Sequence, residues 1–206
     1  QAFVNVADTA LDHVSSILTD IHSNVIEAAN DTLTADQREA LQQEVDAAIE
    51  SINRLGQTTF SGKAVFGDSL TLLVGHEPYQ TATLDLPAVD DSLGGASGIL
   101  ADLRSGGSAS LTSGNLESAA DILNEAQSQV LAARAEAAAF ERYTLDSSQR
   151  LLKDTQIQIS SALSNVRDTD IALESSNLVR EMILADSSLV AAKLILHARR
   201  SVLELL

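Results

Sequence analysis

The residues that come nearest to a catalytic pattern are His76-Glu77-Pro78-Tyr79-Gln80. A zinc protease needs H-E-x-x-H on a helix, so that two imidazoles one turn apart share a metal and the Glu serves as base. Here Gln80 stands where the second His is required, and Pro78 would break the helix. The segment reads instead as a turn before a strand. The other histidines, His13, His22 and His197, are not at ligand spacing from one another. There is no cysteine, which removes disulfides, thiolate metal sites and thiol nucleophiles. No G-x-S-x-G elbow, P-loop or G-x-G-x-x-G occurs, and Gly94-Gly95 and Gly106-Gly107 read as loop glycines. The acidic residues of the helical stretches read as solvated faces. The expectation is a non-enzyme with no metal and no cofactor.

Composition points to long helices. Of 206 residues, 45% are hydrophobic but only 3% aromatic, with no Trp, 10 Gly and 2 Pro. A thin bundle of Ala, Leu, Val and Ile can pack without aromatics, whereas a rounded core usually uses them. The formal net charge of -16 argues against nucleic acid and anionic membrane as partners. No run approaches the roughly 18 apolar residues of a membrane span. Gln1 opens the chain without the basic start and apolar stretch of a cleavable signal peptide, which speaks for export by another route.

The pattern along the chain supports a mainly α fold: an elongated antiparallel helical bundle or coiled coil with a small β-hairpin region in the middle. Leu11, Val14, Leu18, Ile21, Val25 and Ala28 alternate by three and four, a heptad seam. Thr34 and Gln37 form a capping box for a second helix, with Leu41, Val45, Ala48, Ile52 and Leu55 as its stripe and Gly56 as its stop. Ser69–Val74 and Thr81–Leu86 are β-prone runs around a turn, a hairpin. Asp90 to Gly95 reads as a loop. Ser92, Ser97, Ser105, Ser108, Ser110 and Thr112 read as polar residues of an exposed middle region. Leu116, Ala119, Leu123, Ala126, Val130, Ala133, Ala137, Phe140, Thr144, Ser147 and Leu151 hold a strict alternation, after which the seam shifts by one residue to Leu152, Ile159, Leu163 and Val166.

The last forty residues are amphipathic. Ile171, Leu178, Met182, Leu189, Ile195 and Val202 recur near every 3.5 residues and predict one apolar seam. Val179, Ile183, Leu203 and Leu206 join it. Arg167 to Asp170 is a polar break at which Asp168 or Thr169 would cap a new helix, and Asp186-Ser187-Ser188 a second break. Nothing else in the chain is placed to cover this seam, so it predicts a partner.

The run Val166 to Leu184, V-R-D-T-D-I-A-L-E-S-S-N-L-V-R-E-M-I-L, resembles the C-terminal signature of bacterial flagellin, R-D-T-D-I-A-x-E-x-S-N-L-V-R-x-x-I-L. The terminal Val202-Leu203-Glu204-Leu205-Leu206 resembles that family's V-L-x-L-L ending. Ile52, Arg54, Thr58, Phe60, Gly62 and Lys63 fit a second flagellin pattern, with Ser61 in place of its usual Asn. The resemblance covers all but the middle of the chain.

The resemblance implies a structural subunit of the flagellar filament, extracellular, exported through the flagellar type III apparatus and stacked with other flagellin subunits. It divides the chain into outer-core helices and turn (1–66), a short variable region (67–112), a long outer-core helix (113–166) and an inner-core helix (167–206). It implies that the family's N-terminal inner-core helix precedes the equivalent of Gln1, so that this chain by itself would not form regular filaments. It implies capture by the flagellin export chaperone through Ile171, Leu178, Val179, Met182, Ile183, Leu189, Ile195, Val202, Leu203 and Leu206. It puts Asp20, Asn24 and Glu44 at positions contacted by the flagellin-sensing Toll-like receptor. Asp20 replaces an Arg there, which implies weak recognition. The serine cluster corresponds to a region that is O-glycosylated in some members. Alternatives are the hook-filament junction protein, whose C-terminus departs from the pattern above, and a flagellin-like binder of cell-surface glycans.

Overall fold

The computed structural model describes residues 2–75 and 79–203, the side chains of 198–203 excepted. His76, Glu77 and Pro78 therefore lie outside the described residues, as do Gln1 and residues 204–206. The chain divides into two compact units, Gln1–Arg150 and Leu151–Leu206.

In the first unit, α1 (Ala2–Ala28) buries Phe3, Val4, Ala7, Ala10, Leu11, Val14, Leu18, Ile21, Val25 and Ala28. All six residues of the expected heptad seam are among them. α2 (Ala35–Gly56) starts at Thr34, whose hydroxyl accepts from the Gln37 amide (3.3 Å) while the Thr34 amide donates to Gln37 Oε1 (2.9 Å). The capping box thus satisfies two end groups reciprocally. Between the helices, the Asn30 side chain accepts from the Thr32 amide and closes the turn.

α2 is rotated from the expected stripe. Gln42, Val45, Ile49 and Ile52 are buried, whereas Leu41, Ala48 and Leu55 are only partly so. The reason is a second neighbour: besides α1, α2 packs against the segment around Leu100–Leu103. Gly56 is the last helical residue, capped by Gln57, and the 86–91 crossing lies so close that a Cβ there would sit 1.7 Å from the Val89 carbonyl oxygen.

Three antiparallel strand pairs follow. β1 (Thr59–Phe60) pairs with β2 (Lys63–Ala64), and β3 (Ser69–Leu73) with β4 (Thr81–Asp85) in the register Leu70↔Leu84 and Leu72↔Ala82. The second pair is the expected hairpin, and Leu70, Leu72, Ala82 and Leu84 turn to the core. β5 (Gly94–Gly95) pairs with β6 (Gly98–Ile99), where a plain loop was expected. Gln129 explains this pair: its amide accepts from the Gly94 N–H (3.1 Å) and donates to the Gly94 carbonyl.

α3 (Leu116–Ala139) buries Ala119, Ile122, Leu123, Ala126, Val130, Ala133 and Ala137 and packs chiefly on α1. The alanines, too short to hold helices apart, permit that close approach. A π-helical segment, Phe140–Leu145, separates α3 from α4 (Asp146–Leu203). The π-helical turn displaces the spacing by one residue at Phe140–Leu145, earlier than expected at Leu151, while Leu152, Ile159, Leu163 and Val166, expected to carry the seam on, are exposed.

α4 is continuous through both expected breaks. Thr169 does not cap a new helix; its hydroxyl donates to the Asn165 carbonyl within the helix (2.7 Å). Asp168 accepts weakly from Ser164 (3.5 Å), and Ser188 donates to the Ala185 carbonyl (2.7 Å). No Gly or Pro occurs from Asn115 onward, so polar residues alone do not stop the helix.

Candidate assembly surface

Two surfaces gather the residues singled out by the sequence. The first is the C-terminal part of α4. Ile171, Leu178, Val179, Met182, Ile183, Leu189 and Ile195 are each more than half exposed, from 54% at Val179 to 63% at Met182. Val202 and Leu203 belong to α4, but their side chains lie outside the described residues; so does Leu206.

The expected single seam is corrected by the continuous helix. At about 100° per residue, Ile171, Leu178, Met182 and Leu189 share one stripe. Val179, Ile183, Val190 and Leu194 form a second. Leu173, Leu184 and Ile195 form a third, so Ile195 does not continue the first. All these residues are exposed. A helix that is apolar on every side is one that neighbours enclose, not one that lies on a surface. Between stripes stand the charged residues Glu174, Arg180, Glu181, Asp186 and Lys193.

The second surface spans α1 and α2. Asp20 and Glu44 are exposed and Asn24 is half-buried. Asn24 Nδ2 donates to Glu44 Oε2 at 3.3 Å, so two of the three residues are joined across the helical hairpin. Of the serine cluster, Ser92, Ser97, Ser105, Ser108 and Thr112 are exposed. Ser110 is not: it is 2% exposed, turned inward beside the buried Ala109 and Leu111, and leaves the exposed set.

One arrangement was missed. Gln42, Asp46, Glu50 and Asn53 form a polar stripe along α2 that holds the 91–111 segment. Gln42 Nε2 donates to the Leu103 carbonyl (2.8 Å), and its Oε1 accepts from the Leu111 amide (2.7 Å). Asp46 accepts from the Ser105 amide (2.9 Å). Arg104 bridges Glu50 (3.1 Å) and Asp91 (3.2 Å), and Asn53 accepts from the Asp91 amide (2.8 Å). Asp46 and Glu50 are therefore engaged, not simply solvated. Their 4-4-3 spacing with Gln42 and Asn53 was the available signal. Among the described residues no helix is long and apolar enough to cross a membrane.

Residues 1–71 match the family model described as the bacterial flagellin N-terminal helical region. A flagellin of Halalkalibacterium halodurans is 28% identical over 191 residues, covering 91% of this chain and 67% of the relative. The crystal structure of Bacillus cereus flagellin superposes with a TM-score of 0.55 at 21% identity, covering 74% of this chain and 84% of that one. That of Xanthomonas campestris FlgL does so with 0.58 at 13% identity, covering 79% and 93%. At these identities the two structures speak to the fold.

Proposed function

We propose that this chain is a member of the bacterial flagellin family, and that α4 is the element by which it is built into the flagellar filament. The family is structural and non-enzymatic. The observation that supports the reading is the exposure of apolar residues on all sides of α4 beyond Ile171. Covering them in a lattice of like subunits would stabilise assembly by roughly 25 cal/mol per Å² of apolar area. The protein would then be a propeller subunit, exported through the type III apparatus. The experiment replaces one residue on each stripe, Leu178→Glu, Ile183→Glu and Ile195→Glu, in a flagellated cell. Filament incorporation is expected to be lost while the 1–150 unit melts unchanged. Normal filaments from the triple variant would refute the proposal.

The same residues suit capture by the export chaperone before assembly, as a helix laid into a groove. Amides of 168–203 are expected to exchange fast in the isolated chain and slowly with the chaperone. Equal chaperone affinity after truncation at Asp168 would exclude this assignment. Recognition by the flagellin-sensing Toll-like receptor is proposed to be weak, since Asp20 puts a negative charge where a cation is needed and Asn24 already engages Glu44. Asp20→Arg is expected to raise reporter-cell signalling. A wild-type response equal to that of a potent enteric flagellin would contradict it.

A second reading has one observation in its favour. The fold fits FlgL as well as it fits flagellin, which keeps a place at the hook-filament junction open. Labelling of the native protein by antibody separates the two: label along the whole filament supports a filament subunit, label confined to its base the junction.

A further inference from the structure

Between Phe140 and Leu152 the chain carries one residue more than an unbroken seam allows. From Phe140 the three-and-four alternation has two continuations. One runs through Thr144, Ser147 and Leu151. The other inserts a residue after Phe140 and runs through Leu145, Ser148, Leu152, Thr155, Ile159, Ala162 and Val166. As far as Ser148 the structure takes the second, and from Leu152 onward its residues are exposed. In Phe140–Leu145 the helix widens to π geometry, and the Asp146 amide donates to the Glu141 carbonyl five residues back. Leu145 packs on the core and Ser148 is half-buried, while on the other continuation Thr144 is half-buried, Ser147 exposed and Leu151 67% exposed. The Ser147 hydroxyl donates to the carbonyls of Tyr143 and Thr144, satisfying groups that the widened turn leaves short of amides.

The doublet Leu151-Leu152 satisfies either continuation. The extra residue can therefore be absorbed at Phe140–Leu145 or one to two turns later, before Leu152, with the seam on either side intact. We propose that the segment 140–152 is a sliding joint in which the extra residue has two seats. Moving it from the first to the second turns the residues between by about 100°. Leu145 and Ser148 turn away from the core side, Ser147 turns in, and the half-buried Thr144 turns further in. The exposed Tyr143, with the Arg142 guanidinium 5.7 Å from its ring centre, is carried round with them. The first seat is favoured in the structure because Leu145 gains more from burial than Thr144 does. This inference does not depend on the filament reading.

The chain has no cysteine, so Ser147→Cys or Ser148→Cys supplies a sole thiol whose alkylation rate reports which position faces the core. In the otherwise native chain the thiol at 147 is expected to react faster than that at 148. Exchanging the two seats' apolar residue, Thr144→Leu with Leu145→Thr, is expected to invert that order. Deleting Gln149 removes the surplus residue, leaves only the uninterrupted continuation, and is expected to slow the thiol at 147 in the same way. Amide exchange in α1 checks that the 1–150 unit is folded. An order unchanged in both backgrounds overturns the proposal. So does a Gln149 deletion that unfolds the unit, because a joint with two seats absorbs that deletion.

Discussion

In residues 1–150, Leu11, Ile21, Ile49 and Ile122 have no exposed surface, nor do Ala7 of α1 and Ala119 and Ala126 of α3. In residues 151–203, Leu178, Met182 and Leu194 stand 58%, 63% and 72% exposed on a helix no less regular. The residue types are similar. What differs is the second element: α1 and α3 supply each other's cover, and α4 beyond Leu151 has none within its own unit. Helix formation and burial are thus separable. A long run without Gly or Pro forms a helix by propensity, while its stability in a protein comes from the packing of its faces.

The largest effect that would sharpen this contrast comes from truncating matched residues in the two regions. Leu123→Ala or Ile49→Ala is expected to cost about 2–5 kcal/mol through lost burial and a cavity. Leu178→Ala and Met182→Ala are expected to stay within about 0.5 kcal/mol in the isolated chain. Urea denaturation followed by amide exchange in peptides of 1–150 checks both. If Leu178→Ala destabilised as much as Leu123→Ala, the C-terminal unit would have a core after all.

Next in size is Gln42, which is 2% exposed and binds both Leu103 and Leu111 backbone groups. Gln42→Leu keeps the bulk but leaves a buried N–H and a buried carbonyl without partners. A loss of about 1–3 kcal/mol is expected, with faster exchange of the Leu111 amide before any in α1. An unchanged melt would mean that water replaces the amide.

A smaller loss is expected at Arg134, which joins Asp8 (3.1 Å) and Asp12 (2.9 Å) of α1. Both carboxylates are more than half exposed, so the pairs are well screened. Arg134→Gln is expected to cost about 0–1 kcal/mol, and the difference should shrink at high salt. A loss of several kcal/mol that persisted in salt would show that the Arg134 stem, not its charge, holds α3 to α1.

The first unit was the legible one, for the same reason that it has a core. Leu11 to Ala28 and Ala119 to Phe140 each repeat every 3.5 residues because apolar side chains make up their seams, α1 burying one such seam against both α2 and α3. Thr34 and Gln37 are legible because a capping box is local. α2 was misread by one residue because it faces two neighbours, one of them reached through Gln42, Asp46, Glu50 and Asn53. Polar residues carry no periodic apolar signal, so that face looked solvated. In α4 the error ran the other way. Asp168-Thr169 and Asp186-Ser187-Ser188 looked like helix boundaries, and without Gly or Pro they are not. The exposed residues were legible by type, but three stripes were read as one because the assumed breaks reset the helical phase.

The smallest expected effect lies in the β1–β2 turn and tests how closely the local pattern is tuned. Ser61 has φ of 52° and Gly62 of 81°, so both central residues of this two-residue hairpin are left-handed. That geometry matches the right-handed twist of paired strands and favours Asn-Gly. Gly62 bears positive φ without cost, but Ser61 has a Cβ that crowds the following carbonyl. Asn tolerates the left-handed region better because its short amide can bond to nearby backbone. Ser61 is exposed, so the substitution displaces nothing. Ser61→Asn is therefore expected to stabilise the unit by a few tenths of a kcal/mol, about the scale of a good surface change, seen as a small rise in the melting midpoint of 1–150. It should leave the exposed helix and its chemistry untouched. A fall in the midpoint would mean that the Ser61 hydroxyl makes a contact the turn needs, and that the departure from Asn is selected and not merely tolerated.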